Sequence, residues 1–145
     1  MNINQLNFCT SPFSEIRINS DGTYNFCHAA TPIQSVTTEN IYKQDIDYYF
    51  NKSNSVTTVR NGLLNGTASD RCTGCLNAEK KSPFHFRSRR NLQFGIFPDK
   101  HFQQSFEEST IQEIIKDNDK KPYFYHVSLS NLCNLGCFMN LLIFV

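Results

Sequence analysis

The chain has 145 residues, room for one ordinary domain or two small ones, and 14 basic against 13 acidic residues leave a net charge of +1. That balance excludes a strongly cationic nucleic-acid binder and an acidic tail as readings of the whole chain. Thirteen Phe and six Tyr supply bulk for a core and argue against full disorder. The stretch 1–6 has neither the charged nor the apolar region of a leader. The longest apolar run, 141–145, is far below the about 20 residues that span a bilayer. A cytoplasmic, reducing setting without a membrane partner is expected. In that setting six Cys read as metal ligands or redox thiols before they read as disulfides.

The first predicted element is a hairpin. Residues 15–19 and 23–27 alternate around Ser20-Asp21-Gly22, a three-residue loop with Gly at its left-handed position. This register pairs Asn19 with Thr23, Ile18 with Tyr24 and Ile16 with Phe26, and puts Ile16, Ile18, Tyr24 and Phe26 on one face. It also returns the stretch carrying Cys9 toward Cys27. Tyr42, Ile46, Tyr49 and Phe50 predict a helix face behind a cap at Thr38. Val56, Val59 and Leu63 predict a second, capped by Ser53 or Ser55 and cut short by Gly62 and Gly66. Asp70 is expected to cap a turn bearing Cys72 and Cys75. Pro83 should break any helix after it, and 91–104 read as loop. A third helix is predicted from Ser105 to Asp117 with Ile111, Ile114 and Ile115 inward, then a linker-like break over 118–122. Tyr123 to Ser130 read as a strand: Tyr123, Tyr125, Val127 and Leu129 on one face, Phe124, His126, Ser128 and Ser130 on the other. Apolar residues on both faces predict that it is not a solvent-facing edge.

Cys9, Cys27, Cys72 and Cys75 have the spacing C-x17-C-x44-C-x2-C. A C-x2-C pair on a turn aims two thiolates at one metal, and two more Cys complete a four-thiolate shell. The bland alternative is four buried small hydrophobes, which the polar surroundings of Cys72-Thr73-Gly74-Cys75 disfavour. A thioredoxin-type redox pair is disfavoured because no βαβ pattern surrounds it. Spacing does not choose between zinc and iron–sulfur. Cys133 and Cys137 form a C-x3-C pair on the loop after the last strand, the end of a strand that carries the chemistry in parallel α/β barrels. His28 is a minor ligand candidate, since four thiolates already suffice. His126 reads as a satisfied core or rim histidine, and His85 and His101 as surface. Lys80, Lys81, Arg87, Arg89 and Arg90, interleaved with Phe84 and Phe86, suit nucleic-acid contact, but the low net charge favours a solvated face.

Several segments together resemble the N-terminal part of the twitch-domain (SPASM-like) radical S-adenosylmethionine proteins of phages and bacteria. Phe8-Cys9-Thr10-Ser11-Pro12-Phe13, then Ile16 to Gly22, then Phe26-Cys27 is similar to that family's opening cluster hairpin. Arg60 to Gly66, followed by Cys72-Thr73-Gly74-Cys75 and Glu79, resembles its next block, and Arg87 sits where the family usually carries Arg. Leu129 to Cys137 is similar to the start of the radical-enzyme motif C-x3-C-x2-C. The resemblance implies iron–sulfur over zinc. Cys9, Cys27, Cys72 and Cys75 would hold an auxiliary 4Fe–4S cluster. Cys133 and Cys137 would begin the catalytic cluster, whose open iron takes S-adenosylmethionine in an intact relative acting on a peptide or small molecule. It also suggests a Glu79–Arg87 ion pair near the first cluster. Asn140 stands where the third motif Cys is expected, and a neutral amide oxygen is a poor ligand for a thiophilic cluster. A truncated or frame-shifted reading frame, not catalytically competent alone, is therefore expected.

The expected fold is α+β. Residues 1–100 form a small metal-stabilised module of a β-hairpin and short helices, 101–122 a helix and linker, and 123–145 the first strand and cluster loop of an incomplete α/β barrel. So small a module buries too little area to be robust alone, so the metal is expected to supply folding energy. The rival expectation is a zinc-binding module that contacts nucleic acid or protein through residues 80–90, with nucleic acid the less favoured partner.

Overall fold

The computed structural model describes residues 7–30, 39–82, 85–93, 97–98, 104–105 and 121–129. They form a mixed α+β arrangement. A three-stranded sheet runs in the order β2-β1-β5, with β1 at Glu15–Ile18, β2 at Tyr24–Asn25 and β5 at Phe124–Val127. A short α1, Ser11–Ser14, leads into β1. The helices α2 (Ile46–Lys52), α3 (Asn54–Leu64), α4 (Thr73–Glu79) and α5 (Phe86–Gln93) follow the hairpin. Phe97–Pro98 (β3) pairs with Gln104–Ser105 (β4). No helix among the described residues is long and apolar enough to cross a membrane.

The hairpin has the predicted register. Ile18 faces Tyr24, and the Asn19 amide donates to the Thr23 carbonyl at 2.9 Å. Gly22 takes φ +82°, and the Asp21 carboxylate accepts from the Thr23 amide at 2.9 Å and the Thr23 hydroxyl at 2.6 Å. Local turn chemistry therefore fixes the pairing. Strand β5 lies parallel to β1, with Glu15 opposite Phe124 and Ile18 opposite Val127. Its faces alternate as expected, but its only neighbour among the described residues is β1, so it is an edge there. Tyr125 and Val127 are about half exposed and Leu129 is 91% exposed, which corrects the expectation of a covered strand. The inward side of β5 rests on charge: the Arg90 guanidinium lies 4.3 Å from the centre of the Phe124 ring.

Helix α2 starts later than periodicity predicts. The Asp45 side chain accepts from the Tyr48 amide at 2.6 Å and sets the helix start, leaving Tyr42 outside it and exposed. Thr38 lies outside the described residues. Ser53 ends α2 and caps α3, its hydroxyl accepting from the Val56 amide at 3.3 Å. Helix α3 runs through Gly62 and stops at Leu64, with Gly66 at φ +77° just beyond. Phe8, Ile16, Phe26, Tyr49, Val56 and Leu63 make the centre of the core, and Tyr24 stacks on Tyr49 at 4.7 Å. Ser69, one residue ahead of the expected Asp70, caps the turn Asp70–Cys72 that feeds α4. Helix α5 corrects the expectation that nothing helical follows Pro83, and its residues 91–93 correct the loop reading there; Pro83 itself lies outside the described residues. Residues 91–93 close α5, and part of 97–105 pairs as β3 and β4. Ser105 lies in β4; the predicted helix beyond it, 106–117, and residues 130–145 fall outside the described residues.

Gly62 permits a close approach. A Cβ there would sit 2.7 Å from the Thr67 carbonyl oxygen, and the Thr67 amide donates to the Gly62 carbonyl at 2.7 Å. Helix propensity alone favours Ala over Gly by about 1 kcal/mol. The backbone clash is expected to reverse that sign, so Gly62→Ala should lower the urea midpoint of unfolding. A raised midpoint would show that the α3 end relaxes freely.

Candidate metal centre

Each of the four upstream cysteines reaches the same place from a different element. Cys9 precedes α1 on a segment pinned from α5: the Asn91 side-chain carbonyl accepts from the Thr10 amide at 2.9 Å and the Thr10 hydroxyl at 3.1 Å, and its amide donates to the Phe8 carbonyl at 3.0 Å. Cys27 follows β2, where the Ala29 amide donates to its sulfur at 3.3 Å. Cys72 ends the turn that Ser69 caps, and Cys75 lies in the first turn of α4. All four are free thiols and line one pocket, together with Phe26, Leu63, Arg71 and Arg87. Cys133 and Cys137 lie outside the described residues.

The sulfurs are gathered but not tightly clustered. Among the described residues, the one set of three His, Cys, Asp or Glu ligand atoms lying within 4.8 Å of one another is Glu15, His28 and His126. The four cysteines contain no such set. A tetrahedral zinc with Zn–S of about 2.3 Å holds its sulfurs only about 3.8 Å apart. No three of the four thiols meet that spacing, so as placed they do not form a closed tetrahedral zinc shell.

Burial pushes all four thiols up. Cys9 rises to about 12, with Ser11 hydrogen bonds and the Arg87 charge pulling weakly the other way. Cys27 is raised by burial and then by the charges of Cys9 and Glu15. Cys72 is raised by burial, against the Arg71 and Arg87 guanidiniums, and Cys75 by burial and the Glu79 charge. Without a bound metal these groups are thiols at neutral pH, so a thiolate-bound group displaces protons as it binds. Donor type and number are those of a four-thiolate centre, whether an iron–sulfur cluster or zinc.

Behind the pocket lies a buried carboxylate. Glu15 is wholly buried, with Arg90 Nη2 at 2.6 Å, His28 Nδ1 at 3.1 Å and His126 Nε2 at 3.4 Å. Burial alone would raise the Glu15 carboxyl. The Arg90 charge first, then the Cys27 thiol and His28, outweigh it and hold the group below the usual carboxylate range. Burial lowers His28, although the Glu15 contact opposes it. The Glu15–His28–His126 set has the donor types of a metal site. However, Arg90 Nη2 also lies 3.3 Å from His126 Nε2, so a guanidinium already supplies the positive charge a cation would bring. Sequence reasoning missed Glu15 and Arg90, because their partners are far apart in the chain. His126 is the satisfied rim histidine expected, and His28 contacts Glu15.

The basic run splits. Arg87 and Arg90, three apart on α5, turn inward on one helix face, while Lys80, Lys81 and Arg89 stay exposed. Arg87 Nε donates to Glu79 Oε1 at 2.7 Å, the ion pair expected. His85 is half-buried rather than on the surface, and His101 is outside the described residues.

Glu15→Gln removes the charge that neutralises buried Arg90, and breaking a buried pair in this way costs about 3–5 kcal/mol. Because the folded carboxyl is depressed, its contribution is fully present above the unfolded value near ~4.3 and is lost as pH falls through the lower folded value. The variant is therefore expected to be less stable at pH 7 and to show a shallower loss of stability below about pH 4. Parallel acid-unfolding curves for the two proteins would contradict the assignment. The pocket's chemistry has to be read from its own residues: no family model, no curated protein and no solved structure matches the chain.

Proposed function

We propose that this chain carries an auxiliary iron–sulfur module of the twitch-domain (SPASM-like) radical S-adenosylmethionine kind, with Cys9, Cys27, Cys72 and Cys75 holding one 4Fe–4S cluster. One observation carries the reading. Four thiols from separated stretches of chain line a single pocket, and their order along the chain is the one that resembles the auxiliary-cluster hairpin and its following block. Such a cluster supplies one-electron chemistry when bound. The residues' part is to supply four sulfurs, to exclude water with Phe26 and Leu63, and to fix the sulfur positions through Asn91 and the capped turn at Ser69.

Cys133 and Cys137 would belong to the second, catalytic cluster, which binds S-adenosylmethionine in an intact relative. The reaction class there is radical chemistry on a peptide or small molecule, begun by reductive cleavage of that cofactor. With Asn140 in the third motif position, this chain does not perform it alone. The cluster also contributes folding energy to a module whose core is small.

Anaerobic purification tests the reading. Brown protein with about four iron and four sulfide per chain is expected. The double variant Cys72→Ser, Cys75→Ser should lose both the iron and its cooperative melting, as should the parent after chelation. Colourless protein holding one zinc would overturn the cluster, and unchanged circular dichroism and melting in the double variant would overturn the metal's share in folding.

A further inference from the structure

We propose that Arg71 and Arg87 form a two-guanidinium collar on the cysteine pocket that raises the reduction potential of the group bound there; the proposal rests on the iron–sulfur reading above. Both side chains line the pocket with the four cysteines. Both are held by fixed partners. Arg71 Nη2 donates to the Asn25 side-chain carbonyl at 2.5 Å, and its guanidinium carbon lies 4.5 Å from the centre of the Phe26 ring, itself part of the pocket wall. Asn25 is buried, and its amide donates to the Ala30 carbonyl at 3.1 Å, so the tether is rigid. Arg87 is anchored by Glu79, with both side chains largely buried.

The two arginines sit on opposite sides of the C-x2-C pair in sequence. Arg71 enters from the turn just before Cys72, and Arg87 from α5. Between them their positive charges reach all four thiols: Arg87 bears on Cys9, Cys72 and Cys75, and Arg71 on Cys72 and Cys27. A cluster held by four thiolates has a net negative charge that grows by one on reduction. In a water-poor pocket a nearby fixed cation therefore stabilises the reduced form more than the oxidised one. Glu79 works in the opposite sense. It holds Arg87 in place and offsets part of its field, and its charge also reaches Cys75. The collar is thus a tuned pair, one arginine tethered to a neutral amide and one to a carboxylate.

The test is an EPR-monitored dithionite titration of the full chain, purified anaerobically, comparing the parent with Arg71→Gln, Arg87→Gln, Arg87→Lys and Glu79→Gln. The collar is expected to show as more negative midpoint potentials in both Gln variants of arginine. Arg87→Lys should stay close to the parent, and Glu79→Gln should shift the opposite way. A variant that merely loosened the fold would not give shifts of opposite sign for the two members of one ion pair. If Arg87→Gln fails to take up iron, Arg87→Lys and Glu79→Gln still decide the matter. Iron-loaded variants that all titrate at the parent's potential would overturn the collar and leave the cluster standing. A parent chain that takes up no iron would overturn the cluster reading itself.

Discussion

One buried carboxylate sets the relation between four parts of this chain. Glu15 begins β1 and meets Arg90 from α5, His28 from the tail of β2 and His126 from β5. An uncompensated charge in such a place costs several kcal/mol, so these elements cannot part without exposing or stranding it. The consequence reaches the cysteine pocket. His28 follows Cys27 in the chain, Arg87 is one helical turn from Arg90, and Asn91 beside Arg90 pins the segment that carries Cys9. Helix α5 thus uses one face to neutralise Glu15, to position a pocket arginine and to hold the first cysteine.

What could be read from the sequence was local. The hairpin register followed from Asp21 and Gly22, because the turn is made by their own backbone and side-chain preferences. The Ser53 cap and the Val56–Val59–Leu63 face followed from spacing along one helix. The four cysteines stood out by residue type and by the C-x2-C pair. What could not be read was decided at long range. The parallel pairing of β5 with β1 joins residues more than a hundred positions apart, and no neighbour of Glu15 in the chain announces a buried charge. Helix α5 was hidden because its inward residues are arginines and Asn91 rather than hydrophobes. Tyr42 fitted the period of α2, but Asp45 offered a better start.

The pocket's electrostatics bear on how it would be loaded. Burial keeps the thiols protonated without a bound metal, which suits a site that engages its metal and gives up its protons together. Phe26 and Leu63 close the wall against water, while Arg71 and Arg87 bring fixed positive charge to where four thiolates would gather. Part of that charge is met by Glu79, which pairs with Arg87, and by the Phe26 ring beside Arg71. It would complement the anionic cluster proposed for Cys9, Cys27, Cys72 and Cys75.

X-ray absorption of the anaerobically purified chain tests the central claim most directly, because it reports the atoms around the metal. The account predicts an iron edge with sulfur neighbours only and a second shell of iron at short range. A zinc edge with four sulfurs at about 2.3 Å and no metal neighbour would contradict it.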